Sequence, residues 1–456
     1  MSGPMALEPG GTGPDTLALR LAGTPTRPRT GHRSAREAAS RLAADLADRI
    51  GPAVHPYEVA ALLEAEGLTA DQIKERYGHP DLFSLAAALY DQVPRTFPEP
   101  APAADPWRPD HLRCLLRGVL FALPGLAYLL TAPLWHPGRH AAAPIVAGLV
   151  SWAWGQALGH RAYVRMATGR REAARTLLNG APLGAALATA TAVLFAGAGP
   201  VILVAAAQSL YLAAAGVLLV LARERHLLAA LTPLIAGAAL LPWHEPGTAL
   251  RTGAPLLALL ATLAVTAHAL HGALAAPAAA DGTPPRLSAS LPYGLFGLAA
   301  GVLVLLEGRQ EPYAVIVLTV GMGPAEWLLY RYRGLAVAAL RATATPAGFR
   351  LRSAGVLGLC LLGHLLPLLP AALLTGAAPA TLLLLAATLW TALLLQAFGA
   401  AWPPAALCTA AAAGAGAATL LRLPPGPAAL PLCCGAAALC LVAHALWLLG
   451  SPARHA

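Results

Sequence analysis

From residue 111 onward the chain is a succession of apolar runs separated by short breaks rich in Gly, Pro or Arg. Each run is about 17–24 residues long, which as a helix matches a hydrocarbon core roughly 30 Å thick. A segment in lipid must satisfy its backbone N–H and C=O groups internally, so runs of this kind read as helices. Twelve are expected, near 114–134, 141–160, 177–197, 200–222, 227–243, 253–275, 291–307, 312–330, 353–371, 376–399, 402–422 and 428–450. The predicted fold class is all-α, a polytopic membrane bundle of about twelve transmembrane helices. Two six-helix lobes are expected at 111–276 and 291–456, joined by a cytoplasmic loop at 277–290.

Composition agrees. Hydrophobic residues make up 57% of the 456 and charged residues only 12%, against about 25% charged in soluble domains. A conventional soluble enzyme, a disordered tail protein and a disulfide scaffold are excluded. The net charge is −4 over residues 1–110 and +13 over 111–456. The basic surplus therefore lies in the apolar part, where it reads as membrane topology and not as a nucleic-acid footprint. The six cysteines form no CxxC pair and no Cys/His ligand spacing, so they read as small buried hydrophobes. No metal or other cofactor is expected.

The N-terminal part is organised differently. Residues 1–33 are rich in Gly, Pro and Thr and are expected to be disordered, and the opening lacks the pattern of a signal peptide. Residues 34–93 predict a small cytoplasmic helical domain. Its first helix carries Leu42, Leu46 and Ile50 and stops at Gly51-Pro52. A second follows Pro56 with Val59, Leu62 and Leu63 inward. Thr69 and Gln72 have capping-box spacing for a third, and a fourth runs from about Asp81 to Gln92. Two helices joined at Gly67-Leu68-Thr69 have the outline of a helix-turn-helix, but charges on the third helix nearly cancel and the domain is acidic, which opposes phosphate attraction. No nucleic acid is expected; a cytoplasmic protein partner of residues 34–93 is. Six prolines between 94 and 110 predict an extended linker.

Arginines orient the bundle. With a cytoplasmic N-terminus, sixteen fall on the inner side of the apolar part and only Arg139, Arg251, Arg309 and Arg422 on the outer. That bias predicts a multi-pass plasma-membrane protein with both termini cytoplasmic. The halves also correspond. Spans 3–6 and 9–12 start at offsets of 175–176 residues, and each half has a basic loop after its second span, at 161–175 and 331–352. Six spans per half predict repeats of the same orientation, related by an axis along the membrane normal.

Chemistry-bearing residues are few. The chain has no phosphate-binding glycine loop, no dinucleotide fingerprint, no HExxH and no GxSxG, and no enzyme activity is expected. Seven acids follow residue 110. Glu172, Glu224, Glu245, Asp281, Glu307 and Glu311 are expected in loops or at span ends, leaving Glu326 inside a span. A carboxylate at that depth is a functional candidate. The alternative is an interfacial carboxylate paired with Arg333 on the same helix face. Gln156 and Arg161, at the end of span 2, repeat the separation of Glu326 and Arg331 with an offset of 170. Both polar groups could face one central cavity, or make interhelical hydrogen bonds. His268 and His271 share one face of span 6, where two ligands alone make a poor metal site; structural hydrogen bonding or a proton relay are the readings.

The segments Gln156-Ala157-Leu158-Gly159 and Gly169-Arg170-Arg171-Glu172-Ala173-Ala174-Arg175-Thr176-Leu177-Leu178 resemble the multidrug/oligosaccharidyl-lipid/polysaccharide flippase superfamily. The tight Gly197–Pro200 turn and the two-lobe plan are similar to it as well. The resemblance implies alternating access of a central cavity, with arginines or polar groups meeting a lipid-linked glycan. Two other plans compete. A major-facilitator-type transporter would carry an Asp-Arg pair before Gly169-Arg170-Arg171, and here Arg165-Met166-Ala167-Thr168 stands instead. A non-transporting scaffold would recruit envelope-synthesis partners through the cytoplasmic domain.

Overall fold

The computed structural model describes residues 31–94, 110–134, 141–197, 199–278 and 285–454. The expected disordered segment 1–33 and linker 94–110 lie almost entirely outside these residues. The chain divides into two compact units, residues 1–105 and 106–456, and all regular structure among the described residues is helical.

The first unit contains α1 (Gly31–Asp45), α2 (Ala47–Ile50), α3 (Pro56–Ala65), α4 (Ala70–Arg76) and α5 (Leu82–Gln92). The single expected first helix is interrupted at Leu46 and starts earlier than residue 34. Local chemistry sets the remaining ends. Thr69 and Gln72 close a reciprocal capping box on α4, as their spacing predicted, and Asp81 with Ser84 does the same on α5. Gly67 and Gly78 supply the left-handed turns after α3 and α4, with φ of 75° and 71°. Leu63, Leu85 and Leu89 are fully buried with Ile50 and Val59, while Leu62 is only half-buried. The Tyr90 hydroxyl donates to Val54 O at 2.7 Å, tying α5 to the turn before α3.

The second unit contains α6 (His111–Ala122), α7 (Gly125–Thr131), α8 (Ala142–Thr168), α9 (Arg170–Ala196), α10 (Val201–Val220), α11 (Glu224–Ala230), α12 (Thr232–Ala239) and α13 (Thr248–Leu274). It continues with α14 (Leu291–Gln310), α15 (Pro312–Arg341), α16 (Pro346–Thr375), α17 (Pro379–Ala397), α18 (Trp402–Leu420) and α19 (Ala429–Leu449). Helix covers each apolar run read from the sequence. Among the described residues nine helices are long and apolar enough to cross a membrane. The run near 227–243 is split into α11 and α12, because Pro233 lacks the N–H that would continue the ladder. Helices α8 and α18 have the length but are less apolar. The fold is thus that of an all-helical, multi-pass membrane protein.

Helix ends also differ from the sequence reading. Helix α8 runs to Thr168 and α9 begins at Arg170, so the expected basic loop at 161–175 is mostly helix, broken only at Gly169. Helix α14 extends to Gln310 and carries Glu307 inside it.

Packing is close because the contact faces are small. Gly180 and Gly184 on α9 seat Leu158 and Trp154 of α8, where an added Cβ would lie 2.4 and 2.2 Å from those side chains. Trp154 Nε1 donates to Gly180 O at 2.8 Å. Threonines in the helices spend their hydroxyls on the carbonyl one turn back, as Thr262 and Thr189 do, so they expose little polarity. One core cluster is drawn from residues 120–273, including Leu130, Leu177, Leu218 and Leu227. Another is drawn from residues 296–449, including Leu303, Tyr332, Trp390 and Leu441. Helices of the two sets meet at α6 against α15 and at α8 against α14.

Candidate functional site: a charge knot on three helices

Helices α6 and α15 cross with their backbones in contact. A Cβ on Gly118 would sit 3.0 Å from the Gly323 backbone, and one on Gly323 would sit 2.9 Å from Cys114 O. Only glycine permits that approach. The next residue, Pro324, cannot donate to Val320 O and loosens the helix at the crossing. Downstream, Trp390 Nε1 of α17 donates to Ala325 O at 3.2 Å.

This crossing brings four charges together. Arg117 of α6 donates from Nη1 to Glu326 Oε1 of α15 at 2.5 Å and from Nε to Glu224 Oε1 at 3.0 Å. Its Nη2 reaches Leu219 O at 3.4 Å. Arg113, one turn earlier on α6, donates from Nε to the same Glu224 oxygen at 2.8 Å. The side chains of Glu224, Arg117 and Glu326 are 7%, 13% and 22% exposed. Two cations face two anions, so the cluster is internally neutral, as burial in apolar surroundings demands. Glu224 is the first residue of α11, outside the nine apolar helices. Burial works against its charge, but hydrogen bonds from its own backbone N–H and Arg113, with the Arg117 and Arg113 charges, hold its carboxyl below the usual range.

The expected site residues fall in separate places. Glu326 is in the knot, but its partner is Arg117 and not Arg333: the α6–α15 crossing delivers a guanidinium from another helix. The Arg333 guanidinium lies over the Phe398 ring at 5.4 Å, and that of exposed Arg331 over Trp327 at 5.9 Å. Trp327 in turn donates to His111 Nδ1 at 2.8 Å. Gln156 lies against Gly297 of α14, where an added Cβ would meet its Cγ at 2.8 Å. Nearby, Arg161 Nη1 donates to Pro285 O at 2.6 Å, and His160 stacks on Tyr293 at 3.9 Å. Gln156 and Glu326 thus sit in two different helix crossings. His268 and His271 are both exposed on α13, and no metal-holding group of His, Cys, Asp or Glu occurs among the described residues.

Among the described residues, cavities flank these helices at three places, and neither Gln156 nor Glu326 lines those cavities. One of about 40 Å³ among α8, α9 and α10 has room for roughly one or two waters. A second, of about 220 Å³, is apolar and lies beside the α6–α15 crossing, lined by Leu115, Val119, Leu126, Val320 and Pro324. The third, of about 350 Å³, adjoins the knot at Arg113 and Glu224.

Arg113, Arg117 and Glu224 do not stand out in their sequence context. The two arginines read as topology markers at a span start, and Glu224 as a loop acid. Their i, i+4 spacing was the available signal, because a chain with seven acids beyond residue 110 has few partners for two arginines entering an apolar run. Glu307, expected in a loop or at a span end, lies in the last turn of α14. It is 1% exposed, with Oε1 lacking a hydrogen-bond partner.

The fold and this ionic crossing define the class, a multi-pass helical membrane protein with a neutral charge knot between its helices. No family model, curated protein or solved structure matches the chain.

Proposed function

We propose that the protein is a flippase-like membrane transporter that exports a lipid-linked glycan or similar amphiphile by alternating access. The observation that carries this reading is a repeated packing order. Number the twelve helical segments in chain order, with α6–α7 and α11–α12 each counted as one. Segments 1/5, 2/3, 3/4, 4/6 and 5/6 then pack together in the first half, and 7/11, 8/9, 9/10, 10/12 and 11/12 in the second. The halves meet through segments 1/8 and 2/7, and each has its own core cluster. Two like bodies joined through two helix-on-helix seams suit a rocking motion.

In this reading the spans number twelve, the lobes are 111–276 and 291–456, and the sixteen-to-four arginine bias puts both termini in the cytoplasm. The polar contacts of both seams then fall on the cytoplasmic side: Arg117–Glu326 at one, Arg161–Pro285 and His160–Tyr293 at the other. They latch that side shut. Opening exchanges the Arg117–Glu326 pair for water or for an anionic head group, while the small-residue faces separate with little side-chain rearrangement.

The test is the leaflet distribution of lipid-linked glycans in cells lacking the protein. Accumulation on the inner leaflet, reversed by the wild type but poorly by Glu326→Ala, is expected. An unchanged distribution with full complementation by Glu326→Ala would leave the scaffold reading, in which the first unit recruits envelope-synthesis partners. One observation favours that alternative: exposed Tyr57 and Phe83 pack edge to face on the surface of the first unit, the kind of apolar surface that docks a protein.

A further inference from the structure

We infer that the cleft beside the charge knot binds the phosphate of an anionic amphiphile. Its walls are the start of α6, with the capping Asp110 and Leu112, Arg113 and Leu116, and the stretch Ala222–His226, which runs from the end of α10 into the first turn of α11. At about 350 Å³ it admits a phosphorylated head group.

The charge balance is unequal. Glu224 is committed to Arg113 and Arg117, and Asp110 Oδ1 accepts from the Arg113 backbone N–H at 3.0 Å. Arg223 and Arg225 add two guanidinium groups that have no ion pair among the described residues. Arg113 itself remains 40% exposed beyond its contact with Glu224. A tetrahedral phosphate suits such a cluster, because guanidinium groups offer forked donors to its oxygens.

Two further features single out this turn. Ala222 has φ of 57°, a left-handed conformation that an L-residue with a Cβ adopts only under strain. It redirects the chain where α10 ends, so that Arg223 and Arg225 line the cleft instead of continuing the helix. On the opposite wall Leu112 is exposed, and Leu115 is exposed on the next turn of α6. A head group held by the arginines would leave its chain beside these leucines, which free phosphate could not use.

The amphiphile as ligand rests on the transport reading; the phosphate site rests on the cleft alone. The full chain in detergent is titrated with dioctanoyl phosphatidic acid, dioctanoyl glycerol and inorganic phosphate, following thermal stability and retained lipid by native mass spectrometry. Phosphatidic acid should raise Tm saturably and dioctanoyl glycerol should not. Arg223→Gln/Arg225→Gln should weaken phosphatidic acid at least tenfold, and Leu112→Asn should weaken it without changing the response to inorganic phosphate. Neither variant touches an ion pair of the knot, and each is compared with its own unliganded Tm. Equal binding by the double-arginine variant, or equal effects of phosphatidic acid and inorganic phosphate, would overturn the amphiphile site. A binding-defective variant that still redistributes lipid-linked glycans overturns the transported amphiphile as the ligand of this site and leaves transport standing. Intact binding with no leaflet phenotype does the reverse.

Discussion

At the residue scale, Arg117 carries the most consequential placement. It serves Glu224 and Glu326 at once, so Arg117→Met would leave Glu326 without its only ion-pair partner among the described residues. Breaking a largely buried pair from one side costs about 3 kcal/mol. Unfolding of the purified protein should show a loss of that order, and Arg117→Met/Glu326→Leu should recover part of it because no orphan charge remains. Strict additivity would refute the coupling. Glu224 gives a pH prediction. Its folded carboxyl is held low, so its contribution is complete above the unfolded carboxylate range and is lost as pH falls through that range toward the depressed value. Thermal stability should fall in acid less steeply in Glu224→Gln than in the wild type. Sequence alone identified Glu326 as the acid inside a span. It could not identify the partner, since Arg333 is seven residues away and Arg117 is 209 positions distant. A pair across helices depends on a crossing that local periodicity does not encode.

At the element scale, the α6–α15 crossing depends on glycine. Gly323→Ala would drive a methyl into backbone atoms of α6, which cannot move aside as a side chain would. Overpacking of this kind costs about 1–3 kcal/mol. Gly334 lies on the same helix, where an added methyl would meet nothing within 4 Å, so Gly334→Ala should be neutral or stabilising by about 1 kcal/mol through helix propensity. Paired melting curves decide the matter, and equal effects would mean that the crossing is not backbone-limited. Element existence was largely legible in the sequence, because a long apolar run has few alternatives. Boundaries were less so. Helices continue past the apolar run into charged turns, which is why α8 and α9 absorb most of the expected loop and α14 runs on past residue 307 to Gln310. The α11–α12 break had a local signal, Pro233, but an apolar count passes over proline.

At the scale of the whole molecule, the first unit has its own core and its own caps. Deleting residues 1–105 should leave membrane insertion and the melting of the second unit unchanged, as measured by membrane fractionation and unfolding of the truncated chain; failure to insert would make the first unit integral to the bundle. In the second unit, equal spacing of apolar runs suggests a repeat in the sequence, whereas the order of helix packing emerges only in three dimensions.

Alternating access requires the α8–α14 seam to open. Ala157 Cβ lies 3.3 Å from the position of a Cβ on Gly294, close to the separation across a disulfide. With Cys433 and Cys440 replaced by Ser, Ala157→Cys/Gly294→Cys should cross-link under mild oxidation. Leaflet redistribution of lipid-linked glycans by the cross-linked protein is the direct measurement. The account predicts that oxidation stops redistribution and that a reductant restores it. Full redistribution by quantitatively cross-linked protein would contradict it.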